Sequence, residues 1–140
     1  MSTYYPIFLN IEGRKCVVVG GGEVAERKAR ALVEHRALVT VISARVSDGL
    51  SQLAKQGVIQ VLLRDYQPRD LENALVVIAA TADSTVNAEV AREGRERRDL
   101  TNVVDSAEHS DFIVPSLLRR GDISIAVSTG GTSPALSRKI

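Results

Sequence analysis

The chain has no tryptophan, and three tyrosines and two phenylalanines are its only aromatic residues. That weakens any reading in which bases stack on aromatic platforms. Cysteine occurs once, as Cys16, so no intrachain disulfide can form, which fits a reducing compartment. Charge of either sign is not in excess. Lys and Arg number 18 against 17 Asp and Glu, a net charge of +1, which gives bulk electrostatics no pull toward nucleic acid or a membrane surface. No apolar run approaches the roughly 20 residues that a membrane-spanning helix needs, and no basic-then-apolar leader opens the chain. The Tyr-x-x-x-Lys signature of short-chain dehydrogenases is missing too. Tyr4, Tyr5 and Tyr66 are followed four residues on by Phe8, Leu9 and Asp70. The expectation is a cytoplasmic globular protein with no nucleic-acid and no membrane partner.

The length, 140 residues, suits one domain with a real core. Lys15 to Val19 is a β-branched run that stops at glycines, the pattern of a buried parallel strand. Glu23 to Glu34 reads as a helix, with Val24, Ala25, Lys28, Ala31 and Leu32 on one face and Lys28 contributing its aliphatic stem. Strands are expected at 38–42, 59–63, 75–79 and 100–104. Helices are expected at 46–56, with Gly57 as the stop, and from Asp83 or Ser84 to about Arg97. Alternating strands and helices predict a Rossmann-type parallel sheet with helices on both faces. The pattern then changes. Residues 112–118 and 123–128 read as two strands joined through Arg119-Arg120-Gly121-Asp122, an antiparallel hairpin appended to the α/β unit. Thr132-Ser133-Pro134 reads as a helix start, and the chain ends barely two turns later at Ile140, as if cut from a longer polypeptide.

The densest signal is Val19-Gly20-Gly21-Gly22-Glu23-Val24-Ala25, which contains Gly20-x-Gly22-x-x-Ala25 between a strand and a helix. Gly20 permits the tight turn, Gly22 lets backbone approach a pyrophosphate, and Ala25 allows close helix–strand packing. The helix then offers its free N–H groups and positive dipole end to the phosphates. The strand at 38–42 lacks the acidic residue that usually grips the ribose diol. Ser43, Ala44 and Arg45 follow instead. Ser43 has a hydroxyl for a ribose oxygen, and Arg45 would suit a 2′-phosphate, so the residues leave NAD and NADP both open.

Ligands of such sheets gather beyond the C-terminal strand ends. Small residues at Ala80-Thr81-Ala82 leave room for a sugar, and Thr81 can bond one. Asn102-Val103-Val104-Asp105 ends the fifth strand, which puts a carboxylate where a nicotinamide ring and its substrate would meet, as a general base. Glu108, His109 and Asp111 lie nearby in sequence, but their spacing matches no fixed metal motif, so no permanent metal is expected. Gly130-Gly131-Thr132-Ser133-Pro134 is a second glycine-rich helix start able to receive an anion.

Taken together, Pro6-Ile7-Phe8-Leu9, Val18 to Lys28, Ala79-Ala80-Thr81, Asn102 to Asp105, Phe112 to Ser116 and Ser128 to Pro134 resemble the precorrin-2 dehydrogenase and sirohydrochlorin ferrochelatase family, the N-terminal module of siroheme synthases. The resemblance implies oxidation of precorrin-2 to sirohydrochlorin with NAD as cofactor, in siroheme biosynthesis. Some members also insert ferrous iron, which would pass near Asp105 and His109. It implies that Asp105 is the catalytic aspartate. Cofactor contacts would fall on Gly20, Gly22, Glu23 and Val24, and on Ala44 and Arg45, joined by Ser43 and Thr81 from the reading above. It further implies a homodimer built by the region after the Rossmann unit. Residues 1–111 are then the NAD-binding domain, and 112–140 the hairpin and the start of a dimerisation and substrate region whose helical part is missing. The substrate's many carboxylates call for partners such as Arg119, Arg120, Arg138, Lys139 and the helix start at Gly130, Gly131, Thr132 and Ser133. The competing expectation is a non-catalytic NAD(H)-sensing regulatory domain, which needs the glycine turn but neither Asp105 nor the Gly130-Gly131-Thr132 segment.

Overall fold

The computed structural model describes residues 3–129. They belong to two compact units, Leu9–Asp111 and a second that joins Met1–Phe8 to Phe112–Ile140.

The larger unit is built on five parallel strands. They are β1 (Lys15–Val19), β2 (Leu38–Ile42), β3 (Gln60–Leu62), β4 (Val76–Ala79) and β5 (Leu100–Val103), in the order β3-β2-β1-β4-β5. Helices α1 (Glu23–Glu34) and α2 (Asp48–Lys55) connect β1 to β2 and β2 to β3, and α3 (Ser84–Arg97) connects β4 to β5. The chain moves one way along the sheet through α1 and α2 and the other way through α3. Right-handed crossovers therefore put α3 on the opposite face from α1 and α2. Side chains obey this division. Val17, Val77, Ala79 and Val103 pack with Val90 and Ala91 of α3. Cys16 and Val18, pointing the other way, are fully buried on the α1 side, where Ala25 and Ala29 of α1 are fully buried too. Central strands buried on both faces explain why their sequence is a continuous apolar run rather than an alternation.

Helix α2 and the β3–β4 crossover differ from the sequence expectation, each for a local reason. Helix α2 begins at Asp48, because the Ser47 hydroxyl accepts from the Leu50 amide and so caps it. Helix α3 follows the expectation: it starts at Ser84 and is capped by Asp83, whose carboxylate accepts from the amides of Thr85 and Val86. Strand and helix do not alternate throughout. The crossover from β3 to β4 carries no helix and is a chain of turns. It is held by the Arg64–Asp70 ion pair, with both guanidinium–carboxylate bonds at 2.8 Å, and by Leu71, which is fully buried.

In the smaller unit, β6 (Ser116–Arg120) and β7 (Ile123–Val127) form an antiparallel two-stranded ribbon. The first strand starts later than expected, at the residue after Pro115, which has no N–H to give a ladder. Arg119 and Arg120 belong to the strand and not to the turn, which is only Gly121-Asp122, with Gly121 at φ 57°. Among the described residues no helix is long and apolar enough to cross a membrane. The glycine-rich segment at Gly130, Gly131, Thr132 and Ser133, and Arg138 and Lys139, lie outside the described residues.

Candidate functional site

The turn after β1 is shaped by what surrounds it. Gly20 sits at φ +134°, and a β-carbon there would stand 2.3 Å from the Ala80 carbonyl oxygen at the end of β4. Its amide donates to the Ile42 carbonyl at 2.9 Å. Gly22 is the N-cap of α1, in an extended conformation and with no side-chain cap, and a β-carbon there would meet nothing within 4 Å. The turn is thus closed toward β4 and open at the first turn of the helix, where the initial N–H groups of an α-helix lack intrahelical acceptors. That opening suits a phosphate group. Ala25, fully buried, lets α1 lie close on the sheet. Glu23 is exposed and Val24 half-buried at the helix start.

The middle residue, Gly21, carries a constraint that the fingerprint does not name. A β-carbon on it would lie 1.9 Å from the Arg45 carbonyl oxygen and 2.7 Å from the Ser43 hydroxyl. The glycine turn and the segment after β2 are therefore pressed together. The Ser43 hydroxyl donates to the Arg45 carbonyl at 2.7 Å, closing a small loop that leaves Ala44 and Arg45 exposed at its tip. Ser43, expected to meet a ribose hydroxyl, spends its proton inside this loop.

Thr81, after β4, is held by a residue that sequence reasoning did not single out. Its hydroxyl lies 2.7 Å from Asn87 Oδ1, its amide donates to the same oxygen at 3.2 Å, and Asn87 Nδ2 donates back to the Thr81 carbonyl at 3.0 Å. Asn87 lies in the first turn of α3, so the tie is a local one between the loop after β4 and the helix that follows it.

Asp105 follows β5 in a tight turn at φ 62°, the left-handed region that Asp tolerates better than bulkier residues. Ser110 staples that turn. Its hydroxyl accepts from the Val103 amide at 2.8 Å and approaches the Ser106 carbonyl at 2.7 Å. The Asp105 side chain is exposed, and its carboxylate acts electrostatically on Lys28 of α1. Burial pulls the Lys28 ammonium below its ordinary pKa and Arg27 adds to the fall, while the Asp105 carboxylate opposes both. Lys28 is therefore more than the apolar stem that its helical spacing suggests.

Because the sheet is parallel, Gly20–Gly22, Ser43–Arg45, Thr81 and Asp105 all lie beyond its C-terminal edge. His109 closes a 3-10 turn with its Nδ1 3.0 Å from the Ser106 hydroxyl. Among the described residues no three His, Cys, Asp or Glu side chains converge as metal ligands. Arg119 and Arg120 are adjacent on one strand and so point to opposite faces of the ribbon, where they cannot form one cationic patch. A shallow cleft near the opposite ends of β1, β2 and β3, lined in part by Lys15, Leu38 and Gln60, includes none of the candidate site residues.

Residues 7–116 match the family described as putative NAD(P)-binding, and residues 120–140 match the sirohaem biosynthesis protein central region. The siroheme synthase of Methylobacillus flagellatus is 44% identical over 135 residues, and that of Edwardsiella ictaluri is 42% identical over the same length. These alignments take in 96% of this chain and 29% of each relative, so the chain spans less than a third of their length. Among solved structures, SirC, a precorrin-2 dehydrogenase, superposes with a TM-score of 0.86 at 30% identity, over 97% of this chain and 67% of that one. The chain belongs to the family of NAD(P)-binding modules found in siroheme synthases and in precorrin-2 dehydrogenase.

Proposed function

We propose that the protein oxidises precorrin-2 to sirohydrochlorin with NAD, in siroheme biosynthesis. The observation that carries this reading is the shared edge of the sheet. An open phosphate-binding turn at Gly22 and an exposed carboxylate at Asp105 both stand beyond the C-terminal ends of parallel strands. NAD, when bound, supplies the hydride acceptor. The balance is precorrin-2 plus NAD⁺ to sirohydrochlorin, NADH and one proton. Asp105 receives that proton, and the Ser110 staple holds the aspartate's turn in place while it does so. Lys28 offers its ammonium either to Asp105 or to a substrate carboxylate. On the cofactor side, Gly20, Gly22, Glu23 and Val24 serve the pyrophosphate. The loop Ser43, Ala44 and Arg45 serves the adenosine ribose, and Thr81 the second sugar.

In this reading residues 1–111 form the cofactor domain and residues 112–140 begin a region for dimerisation and substrate. The β6–β7 ribbon supports a homodimer. Leu118, Ile123 and Ile125 share one face and are each about half exposed or more, and a lone two-stranded ribbon has little stability of its own. A cytoplasmic location belongs to the same reading, as do the 130–133 segment and either Arg119 or Arg120, which face opposite sides of the ribbon, as partners of substrate carboxylates.

The test follows NADH absorbance after precorrin-2 and NAD are mixed with the protein, beside Asp105→Asn. Turnover by the parent and its loss by about 100-fold or more in the variant, the scale of general acid–base contributions, support the reading. Binding of NAD without any turnover by the parent would favour a nucleotide-sensing domain instead.

A further inference from the structure

The sequence lacks the acidic residue that normally closes the second strand and organises the ribose end of a dinucleotide site. A carboxylate reaches the segment after that strand from another direction. Glu26, in the first turn of α1, accepts the Ser47 hydroxyl at 2.6 Å through Oε1 and Arg30 Nε at 3.1 Å through Oε2. Ser47 is a node. Its amide donates to the Gly21 carbonyl inside the glycine turn at 2.8 Å, and its hydroxyl also caps α2 at Leu50. Room for the carboxylate is kept by Gly49, where a β-carbon would stand 2.3 Å from Glu26 Oε1. Glycine in the first turn of a helix costs stability relative to alanine, so its presence is accounted for by this clearance.

These contacts tie four segments into one body: the phosphate turn through Gly21, the ribose loop 43–47, and the starts of α1 and α2. Ser43 closes the loop on itself, and Ser47 is the point at which it is fastened to α1 and to the turn.

We propose that Glu26 and Ser47 are positioning residues for the dinucleotide, holding the Ser43–Arg45 loop against the glycine turn in the geometry that receives the adenosine ribose. The proposal rests on the dinucleotide-binding reading above. Neither residue takes part in the reaction, and the carboxylate acts through Ser47. The clamp replaces the strand-end carboxylate as organiser of the loop, which is why Ser43 can stand where an acidic residue is usual.

The test uses Glu26→Ala, Gly49→Ala and Glu26→Gln, with two readouts. Hydrogen–deuterium exchange reports on residues 43–50 without cofactor, and calorimetric titration with NAD reports affinity. Glu26→Ala should speed exchange in that segment and weaken NAD binding by about tenfold, with kcat at saturating NAD within about twofold of the parent. Gly49→Ala should do the same by displacing the carboxylate, although alanine is the better helix former and the chain stays folded. Glu26→Gln keeps the acceptor for Ser47 and should restore affinity to within about twofold. Unchanged exchange or unchanged affinity in Glu26→Ala overturns the proposal, as does a Glu26→Gln variant as weak as Glu26→Ala. Failure of the parent itself to bind NAD would instead overturn the dinucleotide-binding reading and the proposal with it.

Discussion

The hydroxyl oxygen of Thr101, on β5, stands 2.2 Å from the point that a β-carbon on Gly94 of α3 would occupy. The helix backbone rests there directly on the Thr101 side chain. Thr101 is fully buried, and among the described residues its hydroxyl has no hydrogen-bond partner. Its position is set by the strand, so it has little freedom to retreat.

Gly94→Ala is therefore expected to destabilise the fold by about 1–3 kcal/mol, because overpacking outweighs the roughly 1 kcal/mol that alanine gains in a helix. Thr101→Ala in the same chain should recover part of the loss. Denaturant unfolding of the single and double variants measures both. A Gly94→Ala variant more stable than the parent would show that α3 can move off the sheet.

Asp99 yields a prediction of opposite sign. It follows Arg98, the C-cap of α3 in the left-handed conformation, and one of its carboxylate oxygens is buried without a hydrogen-bond partner among the described residues. Burial holds its pKa above the ordinary carboxylate value, with Glu93 adding to the rise and Arg97 and Lys15 opposing it. A carboxyl group whose folded pKa is raised costs stability once the pH exceeds its unfolded value, and the cost is complete above the folded one. Asp99→Asn should then raise Tm by a few degrees near pH 7, with the gain fading as the pH falls through the raised folded pKa and gone once it is below about 4. Thermal unfolding of both proteins across that range checks it. A gain that persists undiminished at low pH would point to a cause other than the charge.

The strands were legible in the sequence because each central one is a β-branched apolar run ended by a turn residue, and β1, β2 and α1 fall where the pattern puts them. The Gly20-x-Gly22-x-x-Ala25 fingerprint was legible because its spacing reflects local backbone chemistry. What could not be read were contacts made across the fold. Gly21 looks interchangeable until the Arg45 carbonyl is seen beside it, and Gly49 until the Glu26 carboxylate is. Lys28 passed as an aliphatic stem because the carboxylate that acts on it, Asp105, lies 77 positions later in the chain. The crossover between β3 and β4 had no helical pattern, and alternation was extended over it from its neighbours. The hairpin is legible from its glycine-containing connection, but its first strand begins at Ser116 rather than Phe112, because Pro115 has no N–H for the ladder and the apolar run alone does not show that.

Holding a dinucleotide and using Asp105 for chemistry are separable acts, and the most direct measurement separates them. NAD is titrated calorimetrically into the parent protein and into Asp105→Asn, and NADH formation from precorrin-2 is followed in the same two samples. The account predicts equal NAD affinity in both, within about twofold, and turnover in the parent alone. Loss of NAD binding in Asp105→Asn, or turnover equal to the parent's, would contradict the role assigned to the aspartate at the edge of the sheet.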